Sequence, residues 1–167
     1  MAIRIEKENL ASRSTGFAVI TASPAHVIYK GTVVAKEKNA VTGAIEVRPF
    51  AAADVGVLTP GGVAIDQNYR PSMAPDSNPT VGEGYDYTDF NRGGLVGTID
   101  DATVWISGNS LVKADDTWTV GTSVYWDADN SLFTDTNSSD TKVGVLEDKT
   151  ISGSDVTAIK VKLIKFA

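Results

Sequence analysis

Along most of this chain apolar and polar residues alternate with a period near two, and almost nowhere with the period of a helix. The pattern predicts short strands over 16–20, 26–35, 43–50 and 61–65 in the first half, and over 94–99, 103–107, 110–114, 122–127, 131–135, 142–147 and 156–166 in the second. Gly, Asn and Asp punctuate these runs, which is the spacing of an antiparallel β-sandwich or barrel. One helical turn is expected in "PFAAADVG", 49–56. The last run is the most regular: Ile159, Val161 and Leu163 alternate with Lys160 and Lys162, burying one face and wetting the other. The phase then slips, since Ile164 and Phe166 fall on the lysine side. Either a bulge sits near Leu163 and Ile164, or the chain leaves the sheet there and presents Phe166 to a neighbour.

Two segments break the pattern. Residues 1–15 scatter Ile3, Ile5 and Leu10 among mixed charges, the composition of an extended N-terminal arm that orders only where it finds something to lie on. Residues 68–94 carry Pro71, Pro75 and Pro79 and then Tyr85, Tyr87 and Phe90, so a central strand is forbidden and a long Pro/Tyr-rich loop is expected, either disordered or engaged in binding. The expected organisation is therefore an arm over 1–15 followed by a single mainly β domain over 16–167.

Composition narrows the function. The 167 residues are 42% hydrophobic and 22% charged, ordinary for a globular protein, with no apolar run of the roughly eighteen residues a spanning helix needs. The first residues, with Glu6 and Glu8, do not read as a secretory signal, so synthesis in a cytoplasm is expected. Cysteine is absent, which removes disulfides, thiol catalysis and cysteine-based zinc sites. The net charge of -6 is unevenly spread: residues 1–48 carry seven Lys or Arg against four acids, residues 49–158 five against seventeen, and residues 159–167 add three lysines and no acid. An acidic middle argues against nucleic acid as a partner. Two basic ends suggest instead that the termini lie together on a face that meets an acidic partner.

Candidate chemistry is sparse. In "WDADNS", Asp127, Asp129 and Ser131 match the opening ligand positions of a calcium loop, but Leu132 stands where the turn glycine belongs and Ser138 where the closing glutamate belongs. The stretch reads better as a hairpin turn between "SVYW" and "SLFT". The one histidine, His26, has no carboxylate or nucleophile motif around it and reads as a strand-edge residue. The glycine pairs lack the remaining residues of a phosphate or dinucleotide loop, and "NSS" at Asn137 is a glycosylation acceptor only on a secretory route. Trp105, Trp118 and Trp126 are a sugar-stacking platform or, more often in β proteins, core. No catalytic, metal or cofactor set is expected.

Residues 120–163 resemble the C-terminal part of a family of small tailed-phage head proteins, the capsid decoration or cement proteins. The resemblance runs in order through a "G-D-x-V-Y-W-D" strand at 121–127, a Thr-rich strand at 132–136, an "x-x-G-x-A" strand at 143–146 and a "V-R-V-x-L" strand at 159–163; "GGLVG" at 93–97 is similar as well. Thr122 stands where that family has an acid, and Leu146 and Glu147 replace small residues. The resemblance implies a non-enzymatic virion protein, made in the host cytoplasm, that binds the outside of the assembled head and stabilises it. It implies the major capsid protein as partner and a homo-oligomer, most often a trimer, with neither nucleic acid nor membrane involved. Expected capsid-contact residues are Ile3, Ile5, Leu10, Lys160, Lys162, Lys165 and Phe166. The competing reading is a carbohydrate- or receptor-binding β module of a virion fibre or tail, built on the loop aromatics or the tryptophans.

Overall fold

A computed structural model describes residues 2–8, 15–19, 28–65, 95–108, 110–137 and 141–166. Its strands are β1 (Ala2–Glu8), β2 (Thr15–Val19), β3 (Val33–Lys38), β4 (Ile45–Pro49), β5 (Pro60–Ala64), β6 (Leu95–Ile99), β7 (Ala102–Ser107), β8 (Ser123–Asp127), β9 (Leu132–Thr134), β10 (Thr141–Ser152) and β11 (Asp155–Leu163), with one 3-10 turn at Ala52–Asp54. The architecture is mainly β, in two sheets. The first, six-stranded and antiparallel throughout, has the order β1-β7-β11-β10-β8-β9. The second, β2-β4-β3-β5-β6, closes into a barrel because β2 pairs with both β4 and β6. The β2–β4 pair is parallel; the other pairs are antiparallel. Among the described residues no helix is long and apolar enough to cross a membrane.

Continuous apolar runs mark where both faces of a strand are covered. In β3, Val34 points into the barrel with Ile28, Val47, Ala64 and Val96, while Val33 and Ala35 point the other way, into the larger core. That larger core joins the sheets: Phe50, Val63 and Ile99 from the barrel side pack with Val104, Ile106, Trp126, Phe133, Ile159 and Val161. The Trp126 Nε1–H also donates to the Phe50 carbonyl at 3.2 Å, so the buried indole has its polar partner just past the end of β4.

Three expected strands differ from what forms. In the described part of the run 26–35, residues 28–35, the strand starts only at Val33, because the chain turns at Gly31 (φ 89), whose N–H donates to Ala64 O; a Cβ there would lie 2.5 Å from Leu111 Cδ1. Residues 110–114 form a turn with a single bridge, Val112 to Phe133, since the N–H groups of Leu111 and Val112 both donate to Gly108 O. Their apolar side chains are still buried, which is the signal the alternation carried. In the other direction, β10 outruns 142–147: its polar second half is strand because β11 pairs with it as far as Ser152↔Asp155.

Candidate interaction surface

Cross-strand partners in a sheet share a face, so the register states which side chains stand together. Ile3, Ile106 and Ile159 are partners across β1, β7 and β11; Ile106 and Ile159 are fully buried and Ile3 packs against the same core, which fixes this as the inner face. The next residue along each strand therefore points outward. One outer row runs Arg4, Trp105, Lys160, Asp148 across β1, β7, β11 and β10. A second runs Thr103, Lys162, Val145, Ser123, and Lys142 pairs with Tyr125 beyond it. On the other side of the first row stand Ser107, Ala158 and Thr150.

Among the described residues this outer face is partly uncovered. Arg4, Lys142 and Lys162 are exposed, and Trp105, Tyr125, Val145 and Lys160 are half-buried. Among the described side chains it carries four cations, Arg4, Lys142, Lys160 and Lys162, against three acids, Asp127, Glu147 and Asp148, whereas the chain as a whole has 15 Lys and Arg against 21 Asp and Glu. Glu147, the extra residue of a bulge in β10, reaches Lys160 Nζ at 3.8 Å. Among the described residues Arg4, Lys142 and Lys162 have no ion-pair partner. A shallow groove of about 390 Å³ is lined by Arg4, Trp105, Ser107 and Thr150. An aromatic residue with long cationic side chains as its cross-strand partners is the kind of arrangement that can bind.

The sequence-predicted contact residues fall unevenly on this surface. Lys160 and Lys162 stand on it, and the two terminal strands lie close together, because β1 and β11 flank β7. Lys165 is exposed just past the end of β11. Phe166 does not face a neighbour: it is 4% exposed and belongs to the chain's own core. The chain does leave the sheet after Leu163, but Ile164 N–H donates to Val143 O and Phe166 N–H to Asp100 Oδ2 at 3.1 Å, which turns the ring inward and leaves Ile164 outside. Ile3 is likewise engaged with its own molecule, and Ile5 is a backbone partner of Val104. Leu10, His26 and the 68–94 loop with Tyr85, Tyr87 and Phe90 lie outside the described residues. Arg4, Lys142 and Trp105 were missed from sequence. The alternation in 102–107 already sets Trp105 apart from Val104 and Ile106, but only the topology puts Arg4 beside it.

The tryptophans do not form a platform together: Trp118 and Trp126 are fully buried, and only Trp105 stands on the outer face. The "WDADNS" stretch is the β8–β9 turn. Asp127 Oδ1 accepts from the N–H groups of Asp129 and Asn130, each at 3.0 Å, and Oδ2 from Asn130 Nδ2 at 2.7 Å. Burial pushes the Asp127 carboxyl up, but these donors outweigh it and hold the group below its ordinary range.

A second polar cluster joins residues 113–118 to the end of β9. Asp116 accepts from the Thr134 hydroxyl and the Asp135 N–H and ion-pairs with Lys113 at 3.0 Å, while Asp135 accepts from the Trp118 N–H. Burial opposes ionisation of Asp116, but its donors win and keep it low; burial and then the neighbouring Asp116 push Asp135 up, against the Trp118 N–H. Each carboxyl closes a loop by accepting a backbone N–H, a structural use. Among the described residues no three His, Asp or Glu side chains are grouped so as to hold a metal ion.

Residues 95–163 match a family model described as phage cement protein. The match begins with β6, takes in β7 to β11 and covers less than half of the chain. It bears out the family resemblance read from 120–163, and it supports a phage capsid-associated role in general terms. A search of the curated proteins finds no match to the chain.

Proposed function

We propose that the protein is a non-enzymatic capsid decoration protein, which binds the outer surface of an assembled phage head, with the major capsid protein as its partner, and stabilises the shell. The observation that carries this reading is the cement-protein match over 95–163, because that segment supplies five of the six strands of the sheet whose outer face bears Arg4, Lys142, Lys160 and Lys162. A rigid sheet suits the task. Its groups are preorganised, so little ordering entropy is lost on binding, and a repeating lattice multiplies modest contacts into firm retention. A homo-oligomer, trimer favoured, would place several such sheets around one local axis of the shell. The receptor-binding alternative loses its tryptophan platform, since two of the three rings are core.

The test is to mix purified protein with heads of the phage that encodes it, prepared without it, and to sediment the particles. The expected result is co-sedimentation to saturation, density on the outer shell clustered about local symmetry axes in particle maps, and heads that lose DNA at a higher temperature once decorated. Protein that stays in the supernatant, or density confined to a tail or fibre, would overturn the reading.

A further inference from the structure

Resting on the reading just given, we infer that the outer face of the six-stranded sheet is the docking face and that what it meets is a carboxylate-rich protein surface. Three observations converge. The described side chains of the face have four cations to three acids on a chain whose net charge is -6, so its balance runs against that of the rest of the molecule. Trp105, half-buried, stands on it one strand in from the β1 edge, with Arg4 and Lys160 as its direct cross-strand partners. Aromatic and Arg side chains are what interface centres are enriched in, because they bury much area for few frozen torsions. The shallow groove along Arg4, Trp105, Ser107 and Thr150 has room, at about 390 Å³, for a partner side chain beside the Arg4 guanidinium, whose fork matches a carboxylate.

A protein partner fits better than a polyanionic nucleic acid. The four cations are spaced by Thr103, Ser107, Val145 and Ala158 rather than packed into a stripe, and Glu147 and Asp148 close the β10 side of the face. Phosphates at duplex spacing would meet those acids and the acidic body behind them. Discrete carboxylates on a folded surface can be placed opposite Arg4, Lys142 and Lys162 and away from the acids.

The experiment compares three variants with the unaltered protein on undecorated heads across a salt series, each first shown to be folded by its circular dichroism and melting curve. Lys142→Glu with Lys162→Glu reverses the outer face. Lys30→Glu with Lys38→Glu makes the same change in net charge at exposed positions away from that sheet. Trp105→Ala removes the aromatic ring. The outer-face pair is expected to weaken binding by about tenfold or more at low salt, with the difference shrinking as salt rises. Trp105→Ala should weaken it by a similar factor at every salt concentration, and the Lys30/Lys38 pair by less than about twofold. Poly-L-glutamate should compete with the heads, and duplex DNA should not. If the unaltered protein binds heads and both charge-reversed pairs bind equally well, the docking face is wrong while the decoration role stands. If duplex DNA competes as well as poly-L-glutamate, the partner chemistry is wrong. If the unaltered protein does not bind heads, the decoration role fails and this inference fails with it.

Discussion

Asp54 shows how single residues hold the barrel sheet together. Its carboxylate takes both terminal nitrogens of Arg48, at 2.6 and 2.7 Å, and the Ala51 N–H at 2.8 Å, while the Arg48 Nε–H donates to Glu37 at 2.7 Å. The side chain of Asp54 is 7% exposed and that of Arg48 17%, so removing one partner strands the other out of water. Asp54→Ala should cost about 3 kcal/mol in urea unfolding at neutral pH, part of the usual loss being offset by Glu37. The Arg48 hydrogen bond holds the Asp54 carboxyl below its ordinary value, and a group depressed by folding contributes stability above its unfolded pKa that is lost as pH falls through the folded one. The Asp54→Ala penalty should therefore shrink as pH falls below about 4, and a penalty that grew with acid would contradict the assignment. Gly144 is a steric case. A Cβ there would lie 2.5 Å from Val161 Cγ1 and 2.6 Å from the Lys162 carbonyl, one of them backbone that cannot rotate away. Gly144→Ala should destabilise the fold by about 1–3 kcal/mol or more, and unchanged thermal unfolding would show that β11 can back off.

At the scale of elements, the turn-proximal loops make their own prediction. The Asp135 carboxyl is pushed up by burial and by Asp116, so the native state resists its ionisation, and stability falls as pH rises from the unfolded value through the folded one. Asp135→Asn keeps an acceptor for the Trp118 N–H and puts a donor beside Asp116. It should raise the melting temperature at pH 7 relative to the parent and lose that advantage near pH 4; a variant less stable at pH 7 would refute the carboxyl pairing. What was legible in the sequence follows from the same elements. The strands β7, β8 and β11 could be read because each buries alternate residues, and the β8–β9 turn because Asp127 and Asn130 are residues that bond their own backbone. The second half of β10 could not, since Glu147, Asp148, Thr150 and Ser152 are exposed and its strand character is imposed by β11. Phe166 was misread because period-two reasoning ends where the strand ends; past Leu163 the ring's direction depends on Asp100 and Val143, remote in sequence. For the interaction surface, the lysines of β11 were visible by their alternation with Ile159, Val161 and Leu163, but the row around Trp105 was not, because Arg4 and Lys160 come into one row only through β7.

On the scale of the whole molecule, five of the six strands of the larger sheet come from 102–163 and the sixth is Ala2–Glu8. The entire barrel sheet lies between them in the chain. Removing residues 2–8 should bare the β7 edge, lower the melting temperature and promote self-association in sedimentation, since an uncovered strand is a template for another. Because Ala2 pairs with Ser107 and Glu8 with Ala102, this edge is also among the most non-local contacts in the fold. On the ribosome, residues 2–8 emerge about a hundred residues before the strand they pair with, and closing so long a loop costs entropy that only the finished sheet repays. The edge should thus zip up after the rate-limiting barrier. Ile3→Ala is expected to speed unfolding and leave the refolding rate nearly unchanged in stopped-flow traces, whereas Val161→Ala in central β11 should slow refolding. A nascent chain paused before Ser107 accordingly carries an orphan strand, and the side of the sheet that bears Arg4 is completed last.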